Sequence, residues 1–523
     1  MIDLGKSIAE SIMNGEIKDR EEFEKYKMRL AKKYHVQLPG NSEILKHIPE
    51  ELREKYLGII LRKPSRTLSG VAVVAAMTSP FPCPHGKCIY CPGGVEYNTA
   101  QSYTGKEPAA LRAIMNDYDA YRQVRSRIEQ LRAIGHSTSK IDAIVMGGTV
   151  TARPEKYQVD FVKGIYDGAN NFISKNINES KLYNEISENR IIGLTFETRP
   201  DWFYEREIDI ALSLGITRVE LGVQSIFDDI LSLVNRGHTQ KEVIRSTKLS
   251  KDAGLKVAYH MMPGLPGSNP EKDIESFRTI FQDSKYKPDM LKIYPTLVVE
   301  KSELYEWWKE GKYKPYHEEE FLKILIEIKK IIPKWIRIQR VDRDIPAFLI
   351  VDGIKRSDIR EIAYKRLKEM GLHCRCIRCR EIGRKMEKGE IFGEPRMELL
   401  REDYESSDGK EIFLSYEDLN NDAIVGYLRL RIPSKDAHRP EVRDSSSIVR
   451  ELKVVGPEVP VDKKYMGAYQ HSGLGKKLME EAERISSEEF GFNYILVNSG
   501  IGAIEYYRKL GYEKFGVYMR KSL

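Results

Sequence analysis

The middle of this chain alternates short apolar runs with longer amphipathic stretches, and this alternation constrains the fold more than any other feature. Six runs fall between residues 68 and 296, at 71–77, 143–146, 191–196, 218–223, 256–262 and 290–294. Strands separated by helices form parallel β/α units, and right-handed crossovers curl them into a barrel or partial barrel. In such folds the chemistry sits on loops that follow the strands.

The regions on either side of these units have different patterns. Residues 1 to about 60 are helical and charged, which predicts a helical cap or an RNA-contacting arm with Lys32, Lys33 and His35 together. From about 395 onward, strands joined by a hairpin signal are followed by a glycine-rich break and more helices, which predicts a separate α+β domain. The predicted domains are a helical N-terminal region (1–67), the α/β partial barrel (68–365), a linker (366–394) and the α+β domain (395–523).

Five further strands and four helices are predicted after these six runs. The strands are at 336–341, 411–416, 424–431 and 447–455, with another short one at 494–498, and the helices are at 302–309, 318–331, about 474–487 and 503–510.

Bulk composition narrows the location and the class of the protein. The hydrophobic content is 41%, and no stretch approaches the ~20 apolar residues of a membrane span. The first residues lack the apolar core of a signal peptide, so a cytoplasmic protein is expected. The net charge of +7 and the pI of about 8.7 fall short of the basicity typical of a nucleic-acid reader, roughly pI 9, so charge alone does not decide whether RNA binds.

All six cysteines lie in two short triplets, which favours metal binding over disulfides in an intracellular chain. The first is Cys83, Cys88 and Cys91, directly after the first strand. An iron–sulfur cluster normally takes four cysteines, so three would leave one iron open to a ligand. The alternative is a structural zinc site completed by His85.

The spacing Cys83-x4-Cys88-x2-Cys91, with Tyr90 before the last cysteine, resembles the cluster loop of radical S-adenosylmethionine enzymes, although their usual first gap is three residues. The resemblance implies a [4Fe-4S] cluster and S-adenosylmethionine. It also implies that a turn at the end of the second strand, Gly147, Gly148 and Thr149, meets the cofactor. Glu197, Arg199 and Gln224 end later strands and would point to the same mouth; the alternative is an ordinary polar rim.

The C-terminal domain carries a glycine-rich loop that opens a helix, where exposed backbone N–H groups form an anion cradle. With a strand before it and a tyrosine pair after it, the order resembles the GNAT family of N-acetyltransferases. The resemblance implies that the domain binds acetyl-CoA, with the pyrophosphate on the loop and the pantetheine along the strand. It also implies that one of the two tyrosines lies near the thioester, while the other packs in the core. The implied residues are Gln470, Gly473, Leu474, Gly475 and Lys476 (loop), Glu451, Leu452, Lys453 and Val454 (strand), and Tyr506 and Tyr507. Glu451 is also a candidate general base.

Both halves together carry long, unusual strings: CIYCPGG at 88–94, TAQSYTG at 99–105, IVMGGT at 144–149, GLTFETRPD at 193–201, HMMP at 260–263, KIYPT at 292–296 and VREL at 449–452. These resemble the family of the catalytic subunit of the Elongator complex, including its stand-alone archaeal form. The resemblance implies a transfer RNA enzyme that builds the 5-carboxymethyl group on the wobble uridine. In the implied chemistry, a radical derived from S-adenosylmethionine takes hydrogen from the acetyl methyl group, and the resulting carbon adds to C5 of the uridine.

The resemblance also implies roles for individual residues and partners. Lys256, Lys292 and Tyr294 would meet the RNA or the target base at the barrel mouth, as cations for phosphate and an aromatic ring for an unstacked base. Lys140 would reach acetyl-CoA across the domain boundary, or is otherwise a solvated lysine. A homodimer and further Elongator subunits are compatible with the resemblance but are not required by it.

The second triplet, Cys374, Cys376 and Cys379, suits a structural zinc between the domains. The sequence shows no clear fourth ligand. His373 is adjacent to Cys374, which makes it difficult for both side chains to bind the same metal. Two other functions stay open at this point. One is a protein lysine acetyltransferase with a structural iron–sulfur domain, for which Glu451 is the base on offer; the other is a transfer RNA-binding scaffold without catalysis.

Overall fold

The computed structural model describes residues 3–34, 36, 38–60, 67, 69–342, 344–443, 446–456 and 473–523. Two predicted residues, His35 and Gln470, lie outside this part of the chain. Within the described ranges, no helix is both long and apolar enough to cross a membrane.

The N-terminal region is helical, as the sequence predicts. Its helices are α1 (Leu4–Met13), α2 (Arg20–Tyr34), α3 (Asn41–Lys46) and α4 (Glu50–Ile60). They surround a small core of their own in which Ile8, Phe23 and Ile44 are fully buried. Because this core is separate from the larger ones, the region packs as its own unit.

Seven parallel strands form the central sheet in the order β1-β2-β3-β4-β5-β6-β8. They are β1 (Val71–Met77), β2 (Lys140–Met146), β3 (Arg190–Thr198), β4 (Arg218–Gln224), β5 (Lys256–Met261), β6 (Met290–Ile293) and β8 (Arg337–Val341). All six predicted strands are confirmed, and the strand predicted in the following segment adds the seventh. The sheet is an open partial barrel, as expected.

Helices cover the outside of this barrel and pack beside its cysteine loop. They are α5 (Pro108–Met115), α6 (Ala120–Ala133), α7 (Glu155–Asn170), α8 (Ile177–Ile186), α9 (Glu205–Ser213), α10 (Asp228–Leu233), α11 (Gln240–Asp252), α12 (Pro270–Gln282), α13 (Glu303–Lys309) and α14 (Glu318–Ile331). Two short strands, β7 (Val298–Val299) and β9 (Ile350–Asp352), pair beside it.

The two faces of the barrel strands differ in polarity. Apolar residues such as Val145, Leu221 and Tyr259 pack outward in the main core beneath the helices. Successive side chains of a strand point to opposite faces, so the alternate positions face the interior. Those positions carry charge, including Glu220 and Lys292, and the barrel interior is therefore charged and polar rather than apolar.

A helical linker follows the barrel, with α15 (Ile359–Glu369), α16 (Ile377–Arg380) and α17 (Ile382–Glu387). The C-terminal sheet has the order β10-β11-β12-β13-β14-β16-β15. Its strands are β10 (Met397–Ser406), β11 (Gly409–Asp418), β12 (Ala423–Ile432), β13 (Ser446–Val454), β14 (Tyr494–Val497), β15 (Glu513–Phe515) and β16 (Tyr518–Ser522), with helices α18 (Pro440–Arg443), α19 (Leu474–Arg484) and α20 (Ile504–Arg508). The predicted hairpin between β11 and β12 is confirmed; β10, β15 and β16 were not predicted.

The C-terminal sheet docks against the loops that precede the barrel strands. Arg450 donates to the carbonyl of Leu255 just before β5 (2.8 Å), and Arg429 donates to the carbonyl of Trp335 near β8 (2.6 Å). Asn498 donates to the carbonyl of Gly254 (3.2 Å). The cysteine loop that follows β1 is at the other end of the barrel, so the two predicted cofactor regions lie at opposite ends of the barrel.

Candidate active site

The first cysteine triplet lies at the carboxyl end of β1 and is lined by polar groups. Gln101 and the backbone N–H of Ser102 donate to the Cys91 sulfur at 3.1 and 3.2 Å. His85 Nε2 lies 3.2 Å from the Cys88 sulfur. Burial raises the pKa of the Cys91 thiol, and burial with nearby Arg199 and Arg236 lowers the pKa of His85 to about 3. His85 does not join the three cysteines in a group with the close spacing of a single-ion site.

The predicted Gly-Gly turn packs directly against this loop. The Thr149 hydroxyl is 3.4 Å from the Cys83 sulfur. Gly147 and Gly148 have φ of 134° and 82°, and a Cβ on Gly147 would lie 2.1 Å from the Thr78 hydroxyl. Only glycine tolerates that combination of backbone angle and crowding. The turn thus brings backbone and hydroxyl groups to the cysteines, where a cofactor bound to them would be met.

Gln224 ends β4 in a strained conformation. Its φ is 68°, in the left-handed region that non-glycine residues rarely adopt. The side-chain Oε1 is buried and has no hydrogen-bond partner among the described residues. Strain and an orphaned acceptor together are typical of a ligand-contacting position.

Arg199 has a different role from the one expected. Its Nη1 donates to the carbonyl of Arg236 (2.7 Å), and Nε and Nη2 bond to Asp201 (2.9 and 2.6 Å). The guanidinium group is therefore occupied in holding the loop behind Cys88. Arg236 itself donates to the carbonyl of Gly222 (2.6 Å) and lies 3.7 Å from the Cys88 sulfur.

Lys292 is buried in the barrel interior between two carboxylates. It bonds to Glu197 at 2.8 Å and to Glu220 at a shorter distance, while His260 also bonds to Glu220 (3.0 Å). Burial alone would lower the pKa of Lys292, but Glu197 and Glu220 outweigh it and raise the pKa above its usual value. Lys292 is thus a fixed cation that orients Glu197, whose other oxygen accepts from Tyr103 (3.1 Å).

Tyr294 and Lys256, expected together at the mouth, are at opposite ends of the barrel. Tyr294 follows β6 and places its ring 5.6 Å from that of His260, at the carboxyl end. Lys256 is the first residue of β5, and five residues of strand at roughly 3.3 Å each separate it from the mouth. The expected position at the mouth is wrong for Lys256, because the first residue of a parallel strand faces the amino end of the barrel.

Lys256 instead faces the acetyltransferase-like sheet. Burial lowers its pKa, and the negative charge of Glu451 partly opposes this effect. Glu451 accepts from Arg429 (2.9 Å) and Tyr427 (3.1 Å). Burial would raise the pKa of Glu451, but Arg429 and Lys256 outweigh it, and the pKa is below its usual value. A carboxylate with a lowered pKa and two hydrogen-bond donors is poorly suited to take a proton from an amine.

The strand predicted to hold pantetheine has an open edge. β13 pairs with β14 only from Ser446 to Val449. Residues Glu451, Leu452, Lys453 and Val454 continue beyond that pairing, and the last three are partly exposed. Their backbone groups on that side can accept an extended ligand as an added strand would.

The helix start beside this edge has the predicted form. Gly473 caps α19 with φ of 78°, Leu474 begins the helix, and Lys476 is exposed near Glu480. A Cβ on Gly475 would lie 2.7 Å from the Tyr506 hydroxyl, which places that phenol at the loop. Tyr507 is instead buried in the domain core against Tyr506 and Tyr512. Lys140, the first residue of β2, lies at the barrel end that faces this domain.

The second triplet is tighter than the first. The sulfurs of Cys374, Cys376 and Cys379 all lie within 4.8 Å of one another, a spacing suited to a single ion, and no fourth ligand among the described residues joins that group. The first triplet does not share this close spacing, as expected for thiolates that each bind a different iron. The donor sets thus fit different metals.

Sequence reasoning assigned no role to Glu220, His260, Gln101 or Arg236. The sequence did contain a signal for Glu220, because a charged residue at an alternate position of an apolar strand indicates that this face of the strand is polar. Gln101 belongs to the string TAQSYTG at 99–105, but it contacts Cys91 only because the loop folds back on itself. No local sequence pattern predicts that contact.

The fold and the site define a radical S-adenosylmethionine enzyme joined to a GNAT-type acetyltransferase domain. Family models match the chain in four places: ELP3 N-terminal domain (1–68), Radical SAM superfamily (79–280), Radical_SAM C-terminal domain (288–369) and Acetyltransferase (GNAT) family (383–512). The chain belongs to the Elongator complex protein 3 family, as its similarity to the following proteins shows.

The tRNA uridine(34) acetyltransferase of Methanocaldococcus jannaschii is 50% identical over 523 residues, covering 99% of this chain and 96% of that protein. Elongator complex protein 3 of Homo sapiens is 44% identical over 536 residues, covering 100% of this chain and 97% of that protein. The solved structure of Elp3 from Methanocaldococcus infernus, with its N-terminus (1–46) deleted, matches with a TM-score of 0.78 and 48% identity. The match covers 87% of this chain and 100% of the solved chain.

Proposed function

We propose that this protein modifies the wobble uridine of transfer RNA, using S-adenosylmethionine radical chemistry and acetyl-CoA to form the 5-carboxymethyl group. The name of a relative that is 50% identical over 99% of this chain, tRNA uridine(34) acetyltransferase, supports transfer RNA uridine as the substrate. The domains would be those predicted: 1–67, 68–365, 366–394 and 395–523.

One observation supports the proposal: the cysteine loop and the open edge of β13 lie at opposite ends of a barrel whose interior is charged. Cys91 and Gln224 lie at the carboxyl end, while Lys256 lies at the amino end within electrostatic reach of Glu451 on β13. A lysine acetyltransferase would have no use for this connection. A reaction that joins an acetyl carbon to a base needs both ends to serve one substrate.

Cys83, Cys88 and Cys91 would hold the cluster, and Gly147, Gly148, Thr149, Glu197 and Gln224 would contact S-adenosylmethionine. When bound, this pair supplies one-electron chemistry at an unactivated C–H bond. The residues present fit it, since the thiols are flanked by polar donors and Gln224 offers a buried free acceptor.

The chain's own residues would position the other reactants. Lys292, kept protonated by the negative charge of Glu197 and Glu220, would fix Glu197 toward the cofactor, and Tyr294 would stack on the unpaired base at the mouth. Acetyl-CoA would lie along 451–454 with its pyrophosphate on the start of α19, where Gly473, Gly475 and Lys476 stand beside Tyr506. Tyr507 would then support Tyr506 from the core, and Lys140 would approach the coenzyme from the barrel.

The lysine acetyltransferase alternative depends on Glu451 as a base. Its bonds to Arg429 and Tyr427 and its lowered pKa argue against that role.

The test is a product analysis under anaerobic conditions. The reduced, cluster-loaded protein is incubated with S-adenosylmethionine, acetyl-CoA labelled in the acetyl group, and transfer RNA, and the RNA is digested to nucleosides for mass spectrometry. We expect labelled carboxymethyl-type uridine, lost in Cys88→Ala while acetyl-CoA binding persists. Absence of that nucleoside with intact cluster absorbance would refute the proposal.

A further inference from the structure

Four helices near the second triplet converge on a small cavity of about 40 Å³ that is rich in positive charge. Its lining includes five cations, Lys329, Arg360, Arg378, Arg384 and Lys388, together with one carboxylate, Glu361, and the Cys379 sulfur. A single water needs roughly 10–15 Å³ of such space, so this cavity has room for a tetrahedral oxyanion.

Three of these cations have no carboxylate partner within salt-bridge distance in the described chain. Lys329 is 1% exposed and contacts the Cys379 sulfur at 3.8 Å. Arg360 donates to the carbonyl of Ile338 (3.1 Å), and Arg378 donates to that of Gln339 (3.2 Å). The other two cations are paired, since Arg384 bonds to Glu381 (3.0 Å) and Lys388 to Glu361 (3.5 Å).

With a divalent ion bound at the second triplet, its three thiolates would carry one net negative charge, against three cations that have no carboxylate partner in the described chain. The local charge would then not balance without an added anion. Burying charge without a counterion is costly, so proteins pair such groups or bind an ion. The excess of about two positive charges matches the charge of a phosphate group, about −1.5 to −2 at neutral pH.

The donors also have the right form. A guanidinium group offers five N–H donors in a planar fork that suits phosphate oxygens, and Arg360 and Arg378 each use one of theirs in the bonds given above. We propose that this cavity, between Arg360, Arg378, Arg384 and Lys329, is a phosphate-binding site beside the second cysteine triplet. The phosphate is either free in solution or part of an RNA backbone, and the site does not depend on the catalytic proposal.

The experiment measures binding of radiolabelled inorganic phosphate to the full-length protein by equilibrium dialysis in a buffer of bulky anions. We expect one phosphate per chain, with affinity reduced at least tenfold in Arg360→Gln. The matched control is Arg366→Gln on the same helix, whose side chain pairs with Glu319 outside the cavity (2.7 Å) and should bind phosphate normally. Circular dichroism and metal content per chain establish that each variant is folded.

Arg384→Gln is a second variant at a more exposed position, expected to weaken phosphate binding severalfold. Phosphate should also raise the melting temperature of the unaltered protein but not that of Arg360→Gln. If an anticodon stem–loop RNA displaces the labelled phosphate and Arg360→Gln binds that RNA more weakly, the phosphate that occupies the site belongs to an RNA backbone. If the RNA does not displace the labelled phosphate, the ligand is free phosphate. The proposal is overturned if the unaltered protein binds phosphate no better than Arg360→Gln does. It is also overturned if Arg366→Gln loses as much phosphate affinity as Arg360→Gln.

Discussion

Arg450 belongs to the acetyltransferase sheet, yet both of its terminal nitrogens bond to Asp289 of the barrel, each at 2.7 Å. Both side chains are completely buried. Asp289 also accepts from the backbone N–H of Val257 (2.8 Å), and Arg450 also bonds to Glu411 (2.6 Å). Arg450 and Asp289 are therefore paired charges inside a buried interface, and they join the two halves of the chain.

Removing one partner of this pair should destabilise the interface strongly. Asp289→Asn leaves the Arg450 charge buried without its bidentate partner, and breaking a buried pair in this way costs about 3–5 kcal/mol. Urea unfolding should show this loss, while Glu319→Gln at the exposed Arg366 pair should change stability by less than about 1 kcal/mol. Equal effects of the two substitutions would contradict the importance of the buried pair.

Lys251 should make stability depend on pH. Burial lowers its pKa from the usual 10.5 to about 7. Between pH 7 and 10.5 the unfolded chain thus binds a proton that the folded chain does not, so this group makes stability rise with pH in that window. The slope approaches roughly 1.4 kcal/mol per pH unit. Unfolding measured from pH 7.5 to 9.5 should show a flatter profile for Lys251→Met, and identical profiles would disprove this assignment.

Gln224→Gly separates backbone strain from ligand binding. Glycine relieves the left-handed φ of 68°, so stability should be unchanged or higher by up to about 1 kcal/mol. The lost amide should lower S-adenosylmethionine affinity at least tenfold in equilibrium dialysis with the cluster-loaded protein. Unchanged affinity would show that the strained residue does not contact the cofactor.

Gly500 tests how closely the two halves approach. A Cβ there would lie 2.2 Å from the backbone oxygen of Ile192 in β3, and backbone cannot move aside as a side chain can. Gly500→Ala should destabilise by about 1–3 kcal/mol or more, the usual cost of overpacking. Gly58→Ala, within α4 and with open space around it, should instead stabilise by up to about 1 kcal/mol. Thermal unfolding of both variants makes the comparison, and tolerance of Gly500→Ala would mean the interface can yield.

Cys376→Ser should abolish metal binding at the second triplet. Its side chain is fully buried, and the three sulfurs lie within 4.8 Å, so one thiol lost removes a third of the ligand set. We expect about one zinc fewer per chain and a lower melting temperature, with S-adenosylmethionine binding retained. Unchanged metal content and stability would exclude a zinc site.

Much of the fold could be predicted from sequence because its signals are local. Apolar runs of strand length with helices between them gave six parallel strands, and turn residues gave the hairpin of β11 and β12. The strands β15 and β16 were missed because they are short and follow α20 closely, so neither has a run of alternating residues long enough to predict a strand. Lys256 was misplaced because its role was transferred by resemblance, although its place at the start of a strand indicates the amino end.

The sequence by itself determined which residues could carry the chemistry: two cysteine triplets, a Gly-Gly turn, and a glycine-rich helix start. These depend on residue type and short spacing, which the chain displays directly. Only the tertiary structure decided that Tyr506 reaches the loop while Tyr507 is core, that Lys292 is held by Glu197 and Glu220, and that Glu451 is engaged by Arg429. Such relationships join residues up to 95 positions apart, and burial and charge pairing act only once the chain has brought them together.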